Sequence, residues 1–154
     1  MTMIMYNNIL VTNSTISFLL AGVGSGIMAT YKQYDSIDEL TRRYRKRVQT
    51  QMFDGEEFVK AIDTKAGRIR SKHNEKLVLT DQRILRVAAG VVRSTTEDYS
   101  ISEITSIEFN RGVRKSKLTI QGAAIDESFP TTKRHGETFA TEARKQLAES
   151  PSQN

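Results

Sequence analysis

The sequence predicts a mainly β domain with added α. Seven short antiparallel strands form a barrel or a pair of crossed sheets, and one C-terminal helix caps an open end. Three observations predict it. Beyond Gly55 the apolar residues recur with period two in short runs. Turn residues separate those runs, at Asp81-Gln82, Ala89-Gly90, Gly112 and Gln121-Gly122, so the strand–helix alternation of a parallel sheet is missing. The final run, "GETFATEARKQLAE", changes period and puts Phe139, Ala143 and Leu147 on one helical face, with Ala140 beside them. A barrel or sheet pair plugged by that helix buries all these faces together.

Charge divides the 154 residues into regions. Residues 1–35 form an uncharged N-terminal segment as far as Tyr31. As a helix, Ile9 to Tyr31 would be about 34 Å long, enough to cross a hydrocarbon core of about 30 Å. Gly22, Gly24 and Gly26 loosen such a helix and suit close packing. Two readings stay open. The segment is a membrane anchor, N-terminus outside, or an arm through which copies of the chain assemble. The basic residues that follow favour the anchor, because positive charge stays on the cytoplasmic side. The expected location is therefore the cytoplasmic face of a membrane, single-pass, or else the cytoplasm. Nothing in the segment resembles a cleaved signal peptide. Gly24-x-Gly26-x-x-Ala29 matches a loose dinucleotide fingerprint, but no strand–helix–strand unit follows it, so nucleotide binding is set aside.

Residues 36–53 predict a basic amphipathic helix over Ile37 to Met52. Ser36 and Glu39 have the spacing of a capping box. Ile37, Leu40, Tyr44, Val48 and Met52 share one stripe. Asp38 and Glu39 at the start suit the helix dipole. Arg42, Arg43, Arg45, Lys46 and Arg47 crowd around Tyr44 and are candidates for contact with an anionic surface. Asp54-Gly55 ends the helix.

Residues 54–149 carry the strands. "EEFVKAID", "EKLVLT", "RILRVA" and "VVRSTTEDYS" come first. Ser100 with Glu103 suggests a second capping box and one helical turn. "SIEFNR", "KSKLTI" and "AAIDESF" follow, and Pro130 is expected to stop the last strand. The expected core comprises Phe58, Ile62, Leu77, Leu79, Ile84, Ile104, Ile107, Leu118, Ile120, Phe139, Ala143 and Leu147. Phe139 and Leu147 are structural, holding the capping helix in place. Residues 150–154 read as a disordered tail.

In Leu77-Val78-Leu79-Thr80-x-x-Arg83-Ile84, in Ile101-x-x-Ile104-x-x-Ile107, and in their order with the terminal helix, the chain resembles the bacterial pleckstrin-homology-like (PH-like) domains, relatives of the GRAM and PH folds. The resemblance covers about Met52 to Glu149. It implies a seven-stranded barrel capped by a C-terminal helix and leaves the activity undetermined. In the eukaryotic PH fold, the loop after the first strand commonly cradles inositol phosphates. Here that position holds Lys65, Arg68, Arg70 and Lys72, although the ligand motif itself is not matched. Arg68, Arg70 and Lys72 are candidates for anion binding, or simply a solvated edge that discourages strand pairing. Arg83 is expected to be structural, with its stem packed and its fork on a carboxylate.

Chemistry is narrowed by what is missing. There is no cysteine, so disulfides and thiolate sites are excluded. The two histidines, His73 and His135, lie outside any metal-binding frame, and no nucleophile or phosphate-loop motif is present. The chain reads as a non-enzymatic adaptor with no cofactor and no metal. Net charge is +5, which suits an anionic lipid surface or a protein partner. Nucleic acid is the weaker partner, because few aromatics accompany the basic residues. A homo-oligomer built through the N-terminal segment is the alternative from another class.

Overall fold

The structure, a computed structural model, describes residues 31–64, 75–89, 94–113 and 116–150. Its layout follows from one strand. β3, Glu75–Thr80, is buried along its whole length. A strand with one wet face would expose every second residue; this one has cover on both sides. Leu77 and Leu79 point into one hydrophobic cluster, and Val78 points into a second.

β3 is the middle of a five-stranded antiparallel sheet. Its order is β1 (Gln33–Tyr34), β2 (Phe58–Thr64), β3, β4 (Arg83–Ala89) and β5 (Ser94–Ser100). A separate three-stranded sheet runs β6 (Ile104–Asn110), β7 (Ser116–Gly122) and β8 (Asp126–Thr131). The main core lies between the sheets and is completed by α2, Lys133–Glu149. Ile62, Leu77, Leu79 and Ile84 enter it from the first sheet, Ile107, Leu118, Ile120 and Phe129 from the second, and Phe139, Ala140 and Ala143 from α2. The second cluster covers the other face of the large sheet. There Leu40 and Val48, from the segment carrying α1 (Arg42–Gln51), pack on Ala61, Val78, Leu85 and Val87.

Several expectations are corrected. The seven-stranded barrel is not formed: the described strands number eight, in two sheets, and no register links the large sheet to the small one. The extra strand, β1, is two residues long, too short for any period to announce it. The continuous basic helix over Ile37 to Met52 is split. Ile37–Glu39 is a single 3-10 turn, Leu40 is extended, and α1 starts only at Arg42. Ser36 Oγ accepts the Asp38 N–H at 3.3 Å and so caps the short turn instead of α1. Glu39 takes the N–H of Asp35 at 3.3 Å. Leu40 leaves the helical path because it is needed in the second cluster, where it is 2% exposed.

Ser100 makes no cap. Its hydroxyl meets that of Ser102 at 2.8 Å, although a 3-10 turn does form at Ile101–Glu103. Pro130 lies inside β8, opposite Lys117. It is tolerated there because β8 pairs only with β7, so its missing N–H breaks no second ladder. α2 begins three residues earlier than its apolar pattern, with Thr132 accepting the His135 N–H at 3.4 Å.

The expected placement at a membrane, single-pass with the domain on the cytoplasmic face, is also corrected. Among the described residues no helix is long and apolar enough to cross a membrane. Both helices are amphipathic, and their apolar sides are already packed on protein. Residues 1–30, on which the anchor and the assembly arm rested, lie outside the described residues, as do 151–154.

Candidate binding surface

α1 is fixed from below. Val48 is fully buried on the large sheet, and Tyr44 and Met52 pack against the same cluster. Arg47 leans towards β5, where its Nε donates to Thr96 Oγ1 at 3.2 Å. Arg45 pairs with Asp38 at 3.0 Å. Arg42 and Lys46 are exposed at positions i and i+4, on one face of the helix, and Arg43 beside them is exposed as well. Of the five basic residues singled out in this helix, the structure thus turns Arg45 and Arg47 towards protein groups and Arg42 and Lys46 outward. Arg68, Arg70 and Lys72 lie outside the described residues.

The later start of α1 changes its electrostatics. Its first turn contains no acid and begins with Arg42 and Arg43, and its last turn contains no base. Cations at a helix N-terminus oppose the macrodipole, by about 0.3–1 kcal/mol for an exposed group. Five like charges in ten residues also repel one another. The helix is held by packing in spite of its charges.

Under α1 lies a buried polar knot. Lys76 pairs with Asp63, and both side chains are almost fully buried. The Lys76 ammonium sits 4.5 Å from the ring centres of both Tyr34 and Tyr44. Its Nζ donates to the Tyr34 hydroxyl at 2.9 Å, and that hydroxyl donates to Asp63 at 3.3 Å. Burial, then the Asp63 carboxylate, pushes the Tyr34 phenol well above its ordinary range. This cation is consumed by the fold and unavailable to a ligand. Lys60 is spent in the same way on Asp35.

A second knot secures the end of α1. Arg83 grips Glu56 with both arms, Nε to Oε1 at 3.0 Å and Nη2 to Oε2 at 2.8 Å. Nη2 also donates to the Gln51 carbonyl, at the C-terminus of α1, at 2.6 Å. Nη1 reaches Asp98 at 3.3 Å. Thr80 gives the Leu-Thr-x-x-Arg hairpin its logic. Its Oγ1 accepts the N–H groups of Gln82 and Arg83 at 3.2 and 3.0 Å and donates to Glu56 at 2.6 Å. Burial alone would raise the Glu56 carboxyl. The bonds from Arg83, Thr80 and the Phe53 N–H, with the Arg83 charge, outweigh it and hold the group below its usual range. The ring of Phe53 lies 3.7 Å over the Arg83 guanidinium and is itself 62% exposed. Sequence reasoning named Arg83 and missed Glu56 and Phe53; the exposed-looking "FDGEE" gives no period from which to find them.

Phe139 is fully buried in the middle of α2, and Leu147, one side of which is open, packs at the margin of the core. Neither touches the basic face. Among the described residues no group of three His, Asp or Glu side chains could hold a metal ion.

Two facing sheets with a C-terminal helix across their core define a domain of the PH-like class. The chain belongs to the bacterial PH domain family, whose pattern matches residues 54–142. Among solved structures it is similar to a Vps36 N-terminal PH domain, with a TM-score of 0.50 and 14% sequence identity over 64% of this chain and 83% of that one. At that identity the likeness shows the fold alone. No curated protein matches the chain.

Proposed function

We propose that the chain is an adaptor whose α1 presents Arg42 and Lys46 to an acidic segment of a protein partner. In this reading residues 54–149 are the binding domain proper, residues 36–53 its presenting arm, and 150–154 a tail. One observation carries the proposal: Arg42 opens the helix where its dipole opposes a cation, and neither it nor Lys46, one turn on, has a carboxylate partner among the described residues, so stability does not account for their presence. A carboxylate-rich partner reverses the sign of that cost. A lipid surface fits less well. Helices that lie in a membrane interface insert an apolar face, and that of α1 is already committed to the sheet. Self-assembly through residues 1–30 is a separate reading that this surface does not favour.

The test uses the full chain and a polyglutamate peptide of about 15 residues as the probe. Binding is expected to weaken steeply between about 50 and 200 mM salt, as contacts between exposed charges do. Arg42→Glu with Lys46→Glu is expected to abolish it without lowering the melting temperature, since an acid at the start of α1 suits the dipole. Unchanged peptide binding by this variant overturns the proposal. So does stronger recruitment to anionic vesicles than to the peptide.

A further inference from the structure

We propose a second binding site, separate from α1: a pocket for a phosphate monoester between β1 and the first turn of α2. A cavity of about 340 Å³ opens there, lined by Tyr31, Lys32, Gln33, Arg134 and His135. Its walls bring two exposed cations and an imidazole from two elements distant in sequence, and no carboxylate lines it. Among the described residues neither the Lys32 ammonium nor the Arg134 guanidinium has a carboxylate partner. The backbone N–H of Lys32, by contrast, is bound to Asp63 at 3.0 Å. That bond fixes where the Lys32 side chain starts.

His135 supplies the second observation. Its Nδ1 is shut off from solvent and has no hydrogen-bond partner among the described residues. That nitrogen marks a ring whose hydrogen bonding is incomplete in the free protein; because it is shut off from solvent, a ligand in the cavity meets the rest of the ring. Its charged and titratable surroundings are Tyr31 and Lys32 from the chain leading into β1, Asp63 from β2, and Arg134 from α2. Burial and then Arg134 lower the His135 pKa, and Asp63 offsets them in part. Asp63 itself is occupied by Lys76, Tyr34 and the Lys32 N–H. Glu137, the nearest acid on α2, is turned to Arg111. The pocket therefore keeps a positive balance. The start of α2, where Thr132 caps the His135 N–H, adds the positive end of the helix dipole.

The donor count selects the ligand class. Lys32, Arg134 and His135 approach from two sides, and the Gln33 amide, which already donates to Asp35 at 3.0 Å, completes the wall. A carboxylate has two oxygens to offer them, whereas a phosphate monoester has three and carries up to two charges. The cavity also leaves room for the group to which the phosphate is esterified. Binding a dianion beside His135 favours the imidazolium, so phosphate should raise the His135 pKa; the second ionisation of the phosphate itself, near about pH 6, falls in the same range, so that shift and not the pH dependence of affinity is the readout.

Inorganic phosphate is the first probe, titrated into the full chain at constant ionic strength with chloride as the balance and followed by NMR at the His135 ring. Saturable shifts at His135, an upward move of its pKa in phosphate, and a loss of about tenfold in affinity in Arg134→Gln and in Lys32→Gln are expected. Both residues are exposed, so the variants should fold. Lys117→Gln, on the small sheet, should bind like the parent. A second arm separates the sources of the phosphate. Saturation by glycerol 3-phosphate without sedimentation on phosphatidic acid vesicles assigns a soluble ligand. Sedimentation that Arg134→Gln removes assigns a lipid headgroup. Either outcome supports the pocket. Shifts that chloride reproduces, or that survive both the Arg134 and Lys32 substitutions, overturn it. Loss of polyglutamate binding in the α1 variant with phosphate binding intact would show that the two sites fail independently.

Discussion

Replacing Arg83 by Met removes the guanidinium that joins Glu56, the end of α1 and Asp98, while keeping most of the apolar stem. The Arg83 side chain is 8% exposed and that of Glu56 fully buried. The change leaves a buried carboxylate with only the Thr80 hydroxyl and the Phe53 N–H, and it frees the Gln51 carbonyl. Breaking a buried pair from one side costs about 3–5 kcal/mol, chiefly because the remaining charge stays desolvated. At about 4 °C per kcal/mol for a domain of this size, the melting temperature should fall by roughly 10–20 °C. Adding Glu56→Gln should restore part of that loss, since the stranded charge is gone. The pH profile gives a second reading. The folded Glu56 carboxyl titrates below its unfolded value of about 4.3. Its stabilisation is therefore complete above that pH and fades as pH falls through the lower, folded value. Arg83→Met should flatten this acid limb. Calorimetry from pH 3 to 7 on the parent, single and double variants checks both effects. A single-variant loss under about 1 kcal/mol, or a double variant no better than the single, would refute the argument.

Two further expectations concern the core and a turn. Phe139→Ala should cost about 3–5 kcal/mol, because the ring is fully buried between both sheets. Leu147→Ala, at the margin, should cost only about 1–2 kcal/mol. Urea unfolding of the two would contradict this picture if the losses were equal. Gly122→Ala would place a methyl carbon 2.2 Å from the Glu103 carbonyl oxygen, a backbone atom that cannot swing aside. A loss of about 1–3 kcal/mol is expected in thermal melts, and an unchanged melting temperature would mean that the β7–β8 turn has slack.

The strands around the Leu-Thr-x-x-Arg hairpin were legible because their period is two and their turns are short. The outer layer was not. Yet Val78, Leu85 and Val87 lie on the side of their strands opposite Leu77, Leu79 and Ile84. Apolar residues on both faces of two neighbouring strands require two covers, and the C-terminal helix can supply only one. The other was present in the sequence as the stripe containing Leu40 and Val48, read there as the apolar side of a basic amphipathic helix with no assigned place on the sheet. Closure into a barrel was an inference from strand number, and strand number does not determine whether the outer strands pair. The start of α1 was misplaced because a Ser-x-x-Glu spacing caps a 3-10 turn as readily as an α-helix. Tertiary packing at Leu40 decided between them.

The charges were harder to read than the apolar residues, for a physical reason. Asp63 and Lys76 sit in strands whose two faces are both covered, so each must find an opposite charge or remain buried alone at large cost. On paper they are indistinguishable from solvated positions, because their pairing is across strands and thirteen residues apart in the chain. The same sorting separates binding cations from structural ones. Lys60, Lys76, Arg83 and Arg86 are each held by a carboxylate of the fold. Arg42 and Lys46 on one face, and Lys32 and Arg134 around a cavity, are exposed and have no such carboxylate among the described residues. A cation that the fold neither neutralises nor uses for packing contributes only repulsion to the free protein. A lone one such as Lys117 is satisfied by water, but where two share a helix face or a cavity an anion from outside the chain offsets their repulsion, and these two clusters, rather than the total charge of +5, are the proposed anion-binding surfaces.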